Sequence, residues 1–349
     1  MLRRDFLASG LALPLSGLLP RHLSAASPIY LSDMHFHSFF GTSLNHARPV
    51  RQTLADGQAT LVAWAISGDA LWIDGRTLKQ KAEPKPGEPL GWMQRELGRI
   101  KAHMAEQGIK AALTPADVDA ALRGEPRIVL AIEGASFIEG DPGRVKLAYD
   151  AGVRHIQLVH FIRNTLGDFQ TEPPEHGGLS GLGREVIAEC NRLGILVDLA
   201  HATPKLVIAA LGASRSAPVW SHSSVTAGPA PHPGLIIWRA RQLQLETAKA
   251  IATAGGVVGL WVFTGDVGKT TEAYGQRLLQ MADWLGDAHV AFGTDINGLG
   301  PNYILRTYAE LRRVVETWQQ QGVPEARIRR IASENYARVL RAAMLARTA

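Results

Sequence analysis

The chain has 349 residues, of which 46% are hydrophobic and 20% are charged, and its formal net charge at pH 7 is +5. This is the composition of an ordinary globular protein, long enough for one large domain or two modest ones. The positive charge is too weak and too dispersed to indicate nucleic acid as a partner. The single cysteine, Cys190, excludes an intramolecular disulfide framework, and its amphipathic helical surroundings predict a small buried side chain.

Residues 1–26 have the pattern of an export signal. Paired arginines near the start precede an apolar stretch from Phe6 to Leu19 and a group of small residues. This pattern is typical of a twin-arginine signal peptide, which would leave residues 27–349 as a single domain. An apolar helix that belongs to the fold is the alternative, which the prolines within the stretch disfavour. No segment reaches the roughly 20 apolar residues of a membrane span, so we expect an exported, periplasmic protein without one.

Eight short apolar runs alternate with segments of helical periodicity. Each run is almost continuously apolar, which is typical of a strand that is buried on both faces of a parallel sheet. Eight such strands separated by helices predict an α/β protein with a (β/α)8 TIM barrel. A doubly wound open sheet is the alternative. The runs are residues 29–37, 60–66, 127–134, 155–160, 194–201, 217–223, 256–263 and 290–295.

Helices are predicted between these runs and after the last one. Two further segments, 81–91 and 172–183, are rich in proline or glycine and are predicted to be loops at the entrance of a site. The predicted helices cover residues 91–108, 183–194, 203–214, 243–256, 303–321 and 326–346.

Side chains able to do chemistry stand at or just beyond the carboxyl ends of six runs, while the second and seventh runs offer no candidate. In a barrel these ends meet on the face that carries catalysis, so residues far apart in sequence would surround one cavity. Each residue alone also fits a core or structural role, and only the combination predicts a site. The set consists of His35, His37, Glu133, His160, Asp198, His201, His222 and Asp295.

Five residues of this set predict a binuclear metal centre. Imidazole and carboxylate ligands without sulfur suit zinc, and Glu133 would bridge two ions per chain. Two ions about 3.5–4 Å apart can hold a hydroxide between them and polarise a carbonyl oxygen, which is hydrolytic chemistry. The predicted ligands are His35, His37, Glu133, His201 and His222.

Two further residues have predicted catalytic roles. Asp295 would take a proton from the attacking water and pass it to a leaving amine, with a helix N-cap or a structural acceptor as its alternative role. His160 would donate a hydrogen bond to the developing oxyanion.

In combination, the motifs resemble the membrane dipeptidase (renal dipeptidase) family, peptidase family M19, within the amidohydrolase-like metal barrels. The resemblance runs from about residue 29 to 342. It rests on the segments DMHFH (33–37), IEG (132–134), LVHFIRN (158–164), the long segment that ends in DLAH (178–201), SHSS (221–224), GTDING (293–298) and SENYARVL (333–340).

The resemblance implies roles for most of these residues. One zinc ion would be bound by His35 and the residue at position 37, the other by His201 and His222, with Glu133 between them. The resemblance also implies that His160 contacts the scissile carbonyl, that Asp295 moves the proton, that Glu133 takes part in catalysis, and that Asn164 helps to bind the substrate.

The family also uses an arginine to bind the free carboxylate of its substrate, usually within His-Pro-Arg-Asn. The corresponding HPGL at residues 232–235 lacks it. Arg241 keeps the family's spacing to the following helix and is the predicted substrate-binding residue, with Arg239 in reserve. The alternative is a solvated arginine at the start of a helix.

Two positions depart from the family's pattern. His37 stands where the family normally has aspartate, and Asn297 replaces the second aspartate of the last motif. A neutral ligand in place of an anionic one adds a unit of positive charge to the centre, which should strengthen its Lewis acidity.

The sequence therefore predicts an exported zinc-dependent dipeptidase that hydrolyses the amide bond of dipeptides through a binuclear metal-bound hydroxide. One alternative keeps the metals and changes the substrate to N-acyl amino acids, lactams, lactones or phosphoesters. Another is a periplasmic metal-binding or solute-binding protein that has lost catalysis. The expected partner is a small dipeptide, and a homodimer is an expectation from the family.

Overall fold

A computed structural model describes residues 28–37, 49–228, 237–299 and 302–348. The predicted export signal and the HPGL segment lie outside these ranges. Eight parallel strands form a (β/α)8 barrel, and each of them lies in one of the eight predicted apolar runs or overlaps it. The strands are β1 Leu31–Phe36, β2 Ala59–Ser67, β3 Arg127–Glu133, β4 Val153–Gln157, β5 Leu196–Asp198, β6 Val219–Trp220, β7 Val257–Leu260 and β8 Val290–Phe292.

The barrel is wound in chain order, with each strand hydrogen-bonded to the next. Between β8 and β1 it is closed by backbone bonds just beyond the strand ends. The N–H of Asp295 donates to the carbonyl of His35, and the N–H of His37 donates to the carbonyl of Ile296, both at 3.0 Å. A short strand at Lys110–Ala111 pairs with the start of β3. A separate two-stranded pair, Val225–Thr226 with Leu243–Gln244, lies outside the barrel.

Helices surround the barrel. They are α1 Val50–Gly57, α2 Glu88–Glu106, α3 Pro115–Leu122, α4 Arg144–Asp150, α5 Gly181–Leu193, α6 Pro204–Ala213, α7 Ile237–Ala240, α8 Leu245–Thr253, α9 Thr264–Val267, α10 Thr271–Leu285, α11 Tyr308–Gln320, α12 Glu325–Arg329 and α13 Asn335–Leu345. Short 3-10 turns lie at Ala70–Trp72 and Ser136–Ile138. None of the helices in the described ranges has the length and apolar character that crossing a membrane requires.

The helix boundaries follow from local sequence. At α3, Thr114 and Asp117 form a capping box that encloses Pro115, a residue favoured in the first turn of a helix. At α5, the Ser180 side chain caps the first turn, and Gly194 ends the helix with a φ of 74°. With this cap, α5 begins two residues earlier than predicted, inside the segment expected to be a loop. Helix α2 begins three residues earlier than predicted, at Glu88, also inside an expected loop; Gly87 precedes it without a side-chain cap, and Pro89 stands in its first turn.

The predicted C-terminal helix at 326–346 is interrupted. A π-helical turn at Arg330–Glu334 separates α12 from α13. The hydroxyl of Ser32, on β1, lies 3.2 Å from the carbonyls of Ala332 and Ser333, so the barrel supplies a donor where the helical ladder is disturbed. Side chains of α13 pack with the small inward-facing residues of the barrel, among them Ala63 and Ala131, in one apolar cluster.

Candidate metal centre and active site

The predicted site residues meet at the carboxyl ends of the strands. His35 lies on β1, His37 follows it, and Glu133 is the last residue of β3. The remaining members come from the segments that follow β4, β5, β6 and β8. None of these residues is more than 6% exposed, so the cluster is shielded from bulk water: it consists of His35, His37, Glu133, His160, His201, His222 and Asp295.

The Glu133 carboxylate lies at the centre of this cluster. Its Oε2 atom is 3.3 Å from Nε2 of His37. Its Oε1 atom faces the Nε2 atoms of four other histidines, at 3.5 Å for His35, 3.2 Å for His160, 3.3 Å for His201 and 3.4 Å for His222. A carboxylate whose two oxygens face imidazoles on both sides has the placement that a bridging ligand needs.

The imidazole nitrogens form two close pairs. Nε2 of His35 lies 2.9 Å from Nε2 of His37, and Nε2 of His201 lies 3.2 Å from Nε2 of His222. Nδ1 of His37 lies 3.0 Å from the carbonyl of Ala65, an acceptor that places a proton on Nδ1, so that in the neutral ring the lone pair is on Nε2.

Such converging lone pairs fit divalent cations. Within the described residues, three groups of three side chains hold potential ligand atoms that lie within 4.8 Å of one another, and Glu133 or His35 belongs to each. Nitrogen and oxygen donors without sulfur suit zinc and other divalent ions that bind imidazole. The groups are His35–Glu133–His222, His35–His37–Asp295 and Glu133–His160–His201.

Burial and the central carboxylate together set the protonation of the cluster. Burial lowers the pKa of His35, His201 and His222 well below the ordinary value of 6.5, which favours the neutral form that binds metal. Burial raises the pKa of Glu133, but the histidines around it outweigh this effect and hold the pKa well below its usual range. Burial also raises the pKa of Asp295 to about 7.

Asp295 lies beside the His35–His37 pair. Its Oδ1 atom is 3.9 Å from Nε2 of His35 and 3.5 Å from Nε2 of His37. Its backbone has a φ of 54°, and His201 has a φ of 69°. Non-glycine residues in this left-handed region are uncommon and recur at functional sites, although aspartate and histidine tolerate the conformation better than most.

Asp69 is a site residue that the sequence did not reveal. It follows β2, which overlaps the second apolar run, where the sequence predicts no candidate. Its Oδ1 atom lies 2.6 Å from Nδ1 of His160, and its Oδ2 atom accepts the N–H groups of Phe161 and Ile162 at 3.1 Å. Burial lowers the pKa of His160, but the carboxylates of Asp69 and Glu133 outweigh it and raise the pKa. The sequence feature that could have identified Asp69 is its position two residues after a strand end.

The two candidate arginines differ sharply in burial. Arg241 is 2% exposed and Arg239 lies on the surface. The guanidinium of Arg241 donates to Oε1 of Gln170 at 2.7 Å and to the carbonyl of His222 at 3.3 Å, and its Cζ atom lies 5.4 Å from the ring centre of Trp261. The structure therefore places Arg241 beside His222, a candidate metal ligand. Gln170 and Trp261, which help to hold it, were not foreseen.

The amide of Asn164 is engaged within its own loop. Its Nδ2 donates to the carbonyl of Leu158 at 3.0 Å, and its Oδ1 accepts from the N–H of Leu166 at 2.9 Å. These bonds shape the segment that follows His160, and the substrate-binding role of Asn164 stays a prediction. Asn297 donates to the carbonyl of His37 at 2.6 Å and so supports the residue at which the chain departs from the family.

Comparison with known proteins identifies a matching family. The family description "Membrane dipeptidase (Peptidase family M19)" matches residues 92–349. Dipeptidase tcpJ of Claviceps purpurea is 28% identical over 226 residues, which cover 62% of this chain and 51% of that protein. An uncharacterized protein in the pqqA 5' region of Klebsiella pneumoniae is 27% identical over 273 residues, 73% of this chain and 97% of that protein. The chain thus spans about half the length of the first of these curated relatives.

A solved structure shares the fold. A metallopeptidase from Rhodobacter sphaeroides, liganded with a phosphinate mimic of the dipeptide L-Ala-D-Ala, superposes with a TM-score of 0.74 over 90% of this chain and 99% of that one, at 21% identity. The family match covers most of the chain, including every helix from α3 onward and the strand ends that carry Glu133, His201, His222 and Asp295. On that match, this chain belongs to the membrane dipeptidase family, peptidase family M19.

Proposed function

We propose that this protein is an exported, zinc-dependent dipeptidase that hydrolyses the amide bond of a small dipeptide. The observation that carries the proposal is a single buried cluster: imidazoles on both sides of the Glu133 carboxylate, with Asp295 on one side and Arg241 nearby. Family membership supports dipeptide hydrolysis as the reaction class. The positive charge of Arg241 supports a substrate with a free carboxylate.

The ligand roles follow from the pairing of the imidazoles. His35 and His37 would hold one ion and His201 and His222 the other, with Glu133 between the two. When bound, two divalent ions would polarise the scissile carbonyl and lower the pKa of the attacking water. Burial favours the neutral forms of His35, His201 and His222, which are ready to coordinate without first losing a proton.

Asp295 is proposed to move the proton. Its carboxylate is buried beside the His35–His37 pair, and burial raises its pKa to about 7. A carboxylate with such a pKa accepts and releases a proton readily near neutral pH, so it can serve first as base toward the attacking water and then as acid toward the leaving amine.

His160 is proposed to bind the carbonyl oxygen of the scissile bond. Its Nδ1 is bound to the Asp69 carboxylate, so its Nε2 faces Glu133, at 3.2 Å from Oε1. The Asp69 carboxylate stabilises the doubly protonated ring, whose Nε2–H can donate to developing negative charge on the substrate.

Arg241 is proposed to bind the free carboxylate of the dipeptide. Burial lowers the pKa of its guanidinium to about 10, so it remains positively charged at neutral pH. A guanidinium carries five N–H donors. Among the described residues, its hydrogen bonds go to Gln170 and to the carbonyl of His222, which anchor the group beside a candidate ligand.

Export is proposed from residues 1–26, with residues 27–349 as the mature single domain. The twin-arginine pattern supports it. Recovery of a protein in the periplasm whose N-terminus begins near residue 27 is the expected result, and a cytoplasmic protein with an intact N-terminus would contradict it.

The function is tested by metal analysis of the purified protein together with hydrolysis assays on L,L and L,D dipeptides. We expect two zinc ions per chain, hydrolysis that is abolished by chelation and restored by added zinc, and weak activity on an N-acetylated, C-amidated dipeptide. Fewer than one bound ion per chain, or hydrolysis that survives complete chelation, would refute the proposal.

A further inference from the structure

Asp33 joins the two strands between which the barrel closes. It lies on β1 and is fully buried. Its Oδ1 atom accepts the N–H of His35 at 3.2 Å and the N–H of Thr294 at 2.9 Å. Its Oδ2 atom accepts the hydroxyls of Thr294 at 2.5 Å and Tyr308 at 2.8 Å. One carboxylate therefore fixes the backbone at a candidate ligand and at the residue just before Asp295.

Asp198 makes the equivalent connection on the other side of the centre. It ends β5 and is 1% exposed. Its Oδ1 atom accepts the N–H of Ala200 and the N–H of Ser221, both at 3.0 Å. These two residues directly precede His201 and His222. The carboxylate thus links the two segments that carry the second imidazole pair.

Both carboxylates act where regular strand pairing stops. Asp198 and Val219 form the only register pair between β5 and β6 in the described part of the sheet. Beyond that pair, backbone N–H groups need another acceptor, because a buried N–H without one is costly. A side-chain carboxylate supplies it and at the same time fixes the separation of the strand ends.

We propose that Asp33 and Asp198 are positioning residues, each of which sets the geometry of one half of the metal centre. Asp33 would place His35 and Asp295 on the first side, and Asp198 would place His201 and His222 on the second. This inference rests on the metal centre of the proposed function. Groups that orient metal ligands commonly change metal affinity by about 10- to 100-fold when they are removed.

The chemistry of the acceptor predicts a difference between two substitutions. Asp198→Asn keeps a carbonyl oxygen that can accept both N–H groups, whereas Asp198→Ala removes the acceptor. We expect the Ala variant to lose roughly 10- to 100-fold in affinity for one of its two ions, and the Asn variant to stay within a few-fold of the wild type. Asp33→Ala should weaken binding of the other ion, because the Asp33 carboxylate fixes the strand ends on the opposite side of the centre.

Cobalt(II) titration of the full chain, followed by visible absorption, tests this assignment without an activity assay. His37→Ala and His201→Ala provide reference spectra for a centre that has lost its first or its second ion. The spectrum of Asp33→Ala should match the first reference and that of Asp198→Ala the second.

Asp168→Ala is the matched control. Asp168 is another buried aspartate that accepts three backbone N–H groups, at 2.6 to 2.8 Å, but they belong to the loop residues Glu175, His176 and Gly178. Its removal should lower the unfolding temperature and leave two bound cobalt ions.

Three results would overturn the proposal. In the first, both Ala variants keep two ions at wild-type affinity. In the second, the Asp33, Asp198 and Asp168 variants all weaken both ions alike, which indicates general destabilisation. In the third, Asp198→Asn loses as much metal affinity as Asp198→Ala. A wild-type chain that binds fewer than two ions would overturn the proposed metal centre together with this inference.

Discussion

The Asp69 carboxylate binds Nδ1 of His160 with one oxygen, at 2.6 Å, and the backbone N–H groups of Phe161 and Ile162 with the other. A side chain that follows β2 thereby fixes both the ring and the main chain of a segment that follows β4. The ionised carboxylate can only accept, so Nδ1 carries a proton and the orientation of Nε2 toward Glu133 is set.

Asp69→Asn should reduce kcat for dipeptides by about tenfold with little change in KM. The amide oxygen can still accept the two backbone N–H groups, but a neutral partner no longer supports the charged imidazole, and charge-assisted hydrogen bonds are about twice as strong as neutral ones. Steady-state kinetics measure the effects on kcat and KM separately. A variant whose KM rises while kcat is unchanged would contradict the role given to His160.

Gly298→Ala should inactivate the enzyme without unfolding it. A Cβ at this position would lie 2.0 Å from Oδ1 of Asp295 and 2.9 Å from Cδ2 of His37, so the carboxylate must move. A displacement of about 1 Å at a reacting group can cost about 100-fold in rate. Gly75→Ala, whose Cβ would meet nothing within 4 Å, is the control. Equal activity of the two variants would show that Asp295 tolerates displacement.

Arg241→Met should raise KM for dipeptides at least tenfold, the loss expected when a hydrogen bond to a charged group is removed. Hydrolysis of a neutral ester or amide, if detectable, should be nearly unaffected, because it has no carboxylate to bind. Arg239→Met removes a nearby exposed arginine and should leave KM unchanged. An unchanged KM for the Arg241 variant would exclude it as the carboxylate-binding group.

Asp117→Ala should destabilise the fold by about 1 kcal/mol near neutral pH, the usual value of a helix cap. Burial raises the pKa of Asp117, but hydrogen bonds from Thr114, Leu113 and Arg127 outweigh it and lower the pKa below 3.8. A carboxylate with a lowered pKa stabilises the fold above its ordinary pKa, and that stability is lost as the pH falls through its folded-state pKa. Urea unfolding at pH 7 and near pH 3 should therefore show a smaller difference between wild type and variant at the lower pH.

Cys190 should not react with thiol reagents in the native protein. It is fully buried, and burial raises the pKa of its thiol to about 12, so the reactive thiolate is scarce at pH 8. A chromogenic disulfide reagent should label one thiol per chain in denaturant and almost none without it. Rapid labelling of the native chain would show that the packing around α5 opens.

The strand and helix pattern was accessible from the sequence because it reflects local physics. Apolar runs buried on both faces predicted all eight strands of the barrel. The position of polar residues at the run ends predicted which side chains would meet, since parallel strands of a barrel end on one face. The interrupted C-terminal helix was not foreseen, because the stabilising donor, Ser32, lies about 300 residues away.

The barrel, most of the side chains that meet at the carboxyl ends of its strands and the departure at His37 were predictable, because they depend on residue type and spacing along the chain. How those side chains are held depends on contacts that form only in the folded chain. Arg239 and Arg241 are two residues apart and chemically identical, yet one is exposed and the other is buried beside His222. Asp33 and Asp69 were not among the predicted site residues, and no positioning role was predicted for Asp198. The carboxylates of all three accept N–H groups or a ring nitrogen from segments that are distant in sequence and meet only in the folded chain.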